Sequence, residues 1–152
     1  MRRCNILMEA LLKDSKNAVT PEYKAKIRQC IDRLSEDIAY EDGCLFMKTH
    51  NGQAVLNACS DKAEFEAWHN EILINSEFPE GKITAAFALE FFERFCDRLK
   101  ALCPEKKCSV MSEDEGYWTF RFHIVRKGEP LWISEDIESF SQPVLYEIFG
   151  GV

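Results

Sequence analysis

Glycine and proline are scarce in this chain, at seven and five residues of 152, and only Gly150 and Gly151 adjoin. A phosphate-cradling loop or a dinucleotide fingerprint needs clustered glycines between a strand and a helix, so neither is expected. No stretch approaches the roughly 18 apolar residues of a membrane span. The opening "MRRCNILMEALLKDSKN" has the basic front of a signal peptide. Glu9 interrupts its apolar run, however, and no small-residue cleavage site follows, so no leader is expected. Internal repeats, linkers and low-complexity tracts are missing too, and the length suits one domain over residues 1–152.

Cysteine is present but without pattern. The seven residues Cys4, Cys30, Cys44, Cys59, Cys96, Cys103 and Cys108 are odd in number and sit among apolar neighbours. A secreted disulfide framework would be even-numbered and loop-rich. These read as reduced core hydrophobes, which points to the cytoplasm. No Cys-x-x-Cys, His-Glu-x-x-His or calcium-loop spacing occurs, and Cys96, Cys103 and Cys108 lack a fourth zinc ligand nearby. No metal and no cofactor are therefore expected. His50, His69 and His123 fall on a hairpin end, a helix and a strand, and nothing brings one to a thiol. No catalytic residue is assigned, and a non-enzymatic role is favoured.

What is abundant is ordinary for a folded chain: 46% hydrophobic and 30% charged residues, with eleven Phe, four Tyr and three Trp to build an aromatic core. The net charge of −7 is unevenly spread. Residues 1–40 carry eight Lys/Arg against six Asp/Glu, whereas residues 113–152 carry three against eight. An acidic carboxy-terminal third disfavours nucleic acid, whose binding needs a basic stripe, and favours a basic protein partner.

Local patterns divide the chain into helices, then a hairpin, then helices, then strands. Leu7, Met8, Leu11 and Leu12 give a short helix over 4–14. Thr20 and Pro21 start a second, over 21–40, with Gly43 ending it and the two forming an antiparallel pair. Asn51-Gly52 predicts a type I′ turn joining strands across 44–59, with Leu45, Met47, Ala54, Leu56 and Ala58 inward and Cys44 opposite Cys59. Asp61 and Glu64 form a capping box for a helix over 61–75, whose stripe of Phe65, Trp68, Ile72 and Leu73 should be buried. Ile83, Phe87, Phe91, Phe95 and Leu99 mark a long central helix over 81–102, stopped by Pro104. Strands at 107–111, 117–126 and 130–133 predict a meander over 107–133, and 140–152 ends as a short helix or an edge strand. The expected fold class is α+β: about four helices on one face of an antiparallel sheet made from the 44–59 hairpin and the 107–133 meander.

Alternation in the segment beginning at Tyr117 supplies the functional reading. Trp118, Phe120, Phe122 and Ile124 form an apolar row directed at the core. The opposite row of Tyr117, Thr119, Arg121, His123 and Val125 should face water, with Trp132 exposed beside it. Aromatic residues and arginine anchor interfaces, so Tyr117, Arg121, His123 and Trp132 are the candidate partner-binding residues. Glu113, Asp114 and Glu115 on one side, and Glu135 and Asp136 on the other, would form acidic rims that steer a cationic partner. In size, acidity and mixed build the chain resembles the small cytosolic inhibitor and immunity proteins that bacteria pair with toxins, and the likeness involves no motif. It implies an inhibitor that neutralises a basic partner such as a toxin nuclease. The alternatives are a small-molecule-binding protein or enzyme with a pocket between the 81–102 helix and the sheet, lined by Arg121 and His123, and a homodimer burying the same aromatics.

Overall fold

The structure is a computed structural model that describes residues 1–15, 18–52 and 61–151. The elements in chain order are β1 (Arg2–Cys4), α1 (Ile6–Asp14), α2 (Pro21–Ser35), β2 (Ile38–Glu41), β3 (Cys44–Met47), α3 (Lys62–His69) and β4 (Ile72–Leu73). These are followed by α4 (Ile74–Glu77), α5 (Ala85–Leu102), β5 (Lys107–Asp114), β6 (Tyr117–Ile124) and β7 (Val144–Phe149). Five strands pair antiparallel in the order β1-β7-β5-β6-β4, and β2 and β3 form a separate two-stranded sheet. The α+β class is as expected.

Helix starts follow side-chain chemistry. Thr20 Oγ1 accepts the Tyr23 N–H at 3.2 Å, Thr84 Oγ1 accepts the Phe87 N–H at 3.2 Å, and Asp61 accepts the Ala63 and Glu64 N–H groups. The long helix α5 supplies the core. Phe91, Phe92 and Phe95 lie 5.8, 5.7 and 4.8 Å from Phe120, and Phe95 lies 5.8 Å from Phe122. The row Trp118, Phe120, Phe122 and Ile124 is buried here as expected. Helices α1 and α2 each pack on α5. The interface between α5 and the sheet is thus filled with rings, and Arg121 and His123 point to the other face. The pocket expected there is not where those two residues are.

Several details differ from expectation: β3 does not join the main sheet, the helix expected over 61–75 ends at His69 where Ile72–Leu73 pair with β6 as β4, and the strand within 140–152, β7, lies inside the sheet and not at its edge. Three further differences have a physical cause. Helix α2 stops at Ser35 because Asp42 and Gly43 both take positive φ, 53° and 74°, as a two-residue turn between β2 and β3. Residues 38–41 must then be extended, so the partner of Cys44–Met47 is Ile38–Glu41. At the Asn51-Gly52 turn only Gly52 has positive φ, and Asn51 instead donates from Nδ2 to the His69 and Glu71 carbonyls. The expected second strand of that hairpin, with Cys59, lies outside the described residues. Thirdly, 130–133 is not a strand. The far edge of β5 is taken by β7 and that of β6 by β4 and α3, so no edge remains for a third meander strand. The segment after β6 becomes a strap over the exposed face of the sheet. Leu131, Trp132, Ile133, Ile137 and Phe140 pack there on Cys108, Val110, Val144 and Tyr146.

Helix α3 with its C-cap Asn70 buries Ala63, Glu66, Ala67 and Asn70, a small and polar stripe at helical spacing, and Phe65 is buried beside it as expected. Glu66 Oε2 accepts the Leu45 N–H at 2.7 Å and Oε1 accepts the Ile124 N–H at 3.3 Å. Asn70 Oδ1 accepts the Met47 N–H at 2.9 Å, while its Nδ2 donates to the Leu45 and Phe122 carbonyls at 2.8 and 3.1 Å. The two sheets are joined through these side chains. An Asn70→Ala protein leaves three buried backbone groups without partners, and an expected loss of about 3 kcal/mol follows from the desolvation cost. Urea unfolding checks this as a lowered midpoint at unchanged m-value. A loss below about 1 kcal/mol would show that water takes over the contacts.

Candidate functional site

Because α3 turns its small and polar stripe inward, Trp68 points outward and is 57% exposed. The sequence pattern had placed it in the core. The indole lies beside β6, where Arg121 projects from the face opposite α5. The Arg121 Cζ sits 4.8 Å from the Trp68 ring centroid and 5.1 Å from that of Trp132. The two indoles are 6.1 Å apart at 84° to one another. The guanidinium is therefore held in the corner of two perpendicular rings. Its Nη1 donates to the Ala67 carbonyl at 3.0 Å, and Nη2 is 2.7 Å from Glu71 Oε2. Burial pulls the Arg121 pKa below its ordinary value while Glu71 pulls it up, and an arginine so placed stays charged at neutral pH.

The strap delivers Trp132 to this corner. Its backbone N–H donates to His123 Nε2 at 3.4 Å, and His123 Nδ1 lies 2.9 Å from the Ile124 carbonyl. Nδ1 carries the proton, Nε2 accepts, and the ring is neutral. At 1% exposure His123 is a latch for the strap and cannot be a contact residue on an open face, which corrects the sequence reading. Tyr117, at 60% exposure, does face water, whereas the Arg121 side chain is 14% exposed beneath the indoles and Trp132 is half-buried, so neither stands open as the sequence reading had it.

The acidic groups separate. Asp114 lies directly opposite Tyr117 and shares its face, and Glu115 occupies the turn with φ 51°. Glu113 lies opposite the buried Trp118, on the helix-facing side, and its Oε1 accepts the Gly116 N–H at 2.9 Å. Glu113 is therefore a turn-stabilising residue and leaves the rim. Glu135 and Asp136 are exposed on the strap near β1, where the Glu135 carbonyl accepts from Arg3 Nη1. The structure thus brings Arg121, Trp132 and, behind them, His123 together, with Tyr117 and Asp114 at the β5–β6 turn. Trp68 and Glu71 were missed. Ala63 and Ala67, four apart, were the available sign that α3 approaches its neighbour along a different stripe.

Among the described residues no group of three His, Cys, Asp or Glu side chains comes together to hold a metal. Burial pushes the Cys30, Cys96 and Cys108 thiols up to about 12, so they stay protonated and inert at neutral pH. No described helix is long and apolar enough to cross a membrane.

Burial also holds the His123 pKa below 6.5, with a smaller push from Arg126 in the same direction. Above that value both folded and unfolded chains carry a neutral ring and the latch contributes in full. As the pH falls below it, the unfolded chain takes up the proton first and stability is lost until the folded-state pKa is passed. Urea midpoints should drop as the pH falls below about 6.5, and His123→Leu should flatten that part of the profile. A wild-type profile with no slope there would remove the latch.

Comparison with curated proteins and with solved structures gives no match. The model of the Uncharacterized protein PM0498 family matches residues 3–149, from β1 to the end of β7, and the chain belongs to that family.

Proposed function

We infer that this chain is a protein-docking module whose contact surface centres on Trp68, Arg121 and Trp132 and whose partner is basic. One observation carries the reading: two indoles fixed at right angles around a guanidinium, with Trp68 57% exposed. Large aromatic side chains held rigid before binding are the groups that anchor interfaces, because little motion is lost when a partner covers them. Tyr117 extends the exposed aromatic surface to the β5–β6 turn. The charge around it is negative. Glu64 lies one helical turn before Trp68, Asp114 and Glu115 flank Tyr117, and Glu71 neutralises Arg121. Against a chain carrying −7 overall, this frame attracts a cationic protein and repels a phosphate backbone. Buried, protonated thiols agree with a reducing compartment such as the cytoplasm. An inhibitor that neutralises a basic toxin, for example a nuclease, is the role that fits this surface best.

The test uses paired baits, wild type and Trp68→Ala, to capture the partner, which is then purified and its association measured against ionic strength. The expected partner is basic. Trp68→Ala should weaken it by about 30-fold, the effect of losing one anchor of about 2 kcal/mol. Charge reversal of Glu64, Asp114 and Glu115 to lysine should slow association by about tenfold at low salt and flatten its salt dependence. Equal affinity for Trp68→Ala would rule out the surface, and association unmoved by the charge reversals would rule out steering.

A further inference from the structure

A groove of about 270 Å³ opens beside the Trp68–Arg121–Trp132 corner, between the strap and the strands β5, β6 and β7. We propose that it is the pocket in which the docking partner seats one neutral hydroxyaryl side chain, that of tyrosine. The inference rests on the docking reading above and names the residue that the partner contributes to it.

Size comes first. A cavity of about 150 Å³ holds a benzene ring, and drug-sized ligands occupy pockets from about 300 Å³ upwards. The groove therefore suits a single substituted ring with its first methylene and leaves no room for a larger ligand. Its walls are apolar, with Val110 and Val144 on the sheet and Trp132, Ile133 and Phe140 on the strap. Three polar side chains converge on it. Ser112 and Thr119 are directly opposed across β5 and β6 and so present their hydroxyls side by side on this face. Gln142 reaches in from the strap, its backbone carbonyl accepting from Asn5 Nδ2 at 2.7 Å. Neither hydroxyl nor the Gln142 amide is hydrogen-bonded among the described residues.

Charge and polarity then narrow the occupant. Arg121 lines the groove, but its charge is met by Glu71 and one of its N–H groups by the Ala67 carbonyl. An anion gains little there, and a cation would approach a guanidinium. A plain hydrocarbon ring fills the walls yet strips water from three polar groups without replacing it. A phenol fills the walls and gives those groups a donor and an acceptor. Flanking lysines or arginines on the partner would lie over Asp114, Glu115 and Glu64, the negative frame already described.

The experiment follows amide resonances of the full chain during titration with 4-methylphenol, with toluene, and with lysine-flanked peptides bearing Tyr, Phe or Ala at the centre. The expected result is shifts at Ser112, Thr119 and Trp132 with 4-methylphenol, about tenfold tighter than with toluene, and the same preference for the Tyr over the Phe peptide. Ser112→Ala and Thr119→Val, which remove the hydroxyls without adding bulk, should abolish that preference while both peptides still bind. Equal binding of toluene and 4-methylphenol, or no shifts from either at millimolar concentration, overturns the assignment. Salt-sensitive, Trp68-dependent binding of all three peptides alike also overturns it, while the docking surface stands. Binding of 4-methylphenol with no peptide bound at all overturns the protein source and points to a free phenolic ligand, in which case the docking surface falls as well.

Discussion

Two polar side chains at the end of α3, Glu66 in its last turn and Asn70 at its C-cap, determine how the rest of the molecule is arranged. Glu66 and Asn70 together satisfy the Leu45 N–H and carbonyl, the Met47 N–H, the Phe122 carbonyl and the Ile124 N–H. The strands β3 and β6 present these groups at edges that do not pair with each other, and without the helix each edge would be buried unpaired, at a cost of about 1–3 kcal/mol per group. Burial raises the Glu66 pKa, against which Arg126 Nη1 at 2.7 Å and the two backbone donors hold the carboxylate charged. A carboxylate at 0% exposure is tolerable only with this full complement of donors. The same logic recurs at Asn5, whose Oδ1 accepts from both Met8 and Val144 and whose Nδ2 reaches the Gln142 carbonyl.

The orientation of the outward surface follows from that of α3. A helix committed to burying Glu66 and Asn70 must turn Trp68 away from the core. Once outside, Trp68 meets the arginine of β6 and the tryptophan of the strap. The exposed corner is thus a by-product of an internal polar junction. Arg121 links the layers, since it touches α3 through Ala67, the loop before β4 through Glu71 and the strap through Trp132.

Much of this was legible in the chain. Helix starts at Thr20 and Asp61, the phenylalanine ladder of α5 and the inward row of β6 depend on local chemistry or on a short period, and both are visible in a single sequence. The hairpin at Asp42-Gly43 was also visible but was outcompeted by the stronger apolar periodicity running into it from α2. The strap was not visible, because whether Trp132 joins a ladder depends on which strand edges are already occupied, and β4 with Glu66 and Asn70 takes the needed edge of β6 from far earlier in the chain. Trp68 was misplaced for a similar reason: hydrophobicity ranks it above Glu66, yet the unpaired backbone of two distant strands reverses the ranking. His123 looks like a polar residue on a wet face until the strap is known to cover it.

The strand order has one more consequence. β7 lies in the interior of the sheet, between β1 and β5, and β1 pairs with nothing but β7. The hairpin β5–β6 and the helices can assemble from neighbours in sequence, but the first and last strands must find one another across almost the whole chain. Such topology slows folding, because a long loop closes before any pairing rewards it. Until then β5 shows a bare, largely apolar edge to its surroundings, and the arginines of β1 are the charged guard that later seals the finished sheet.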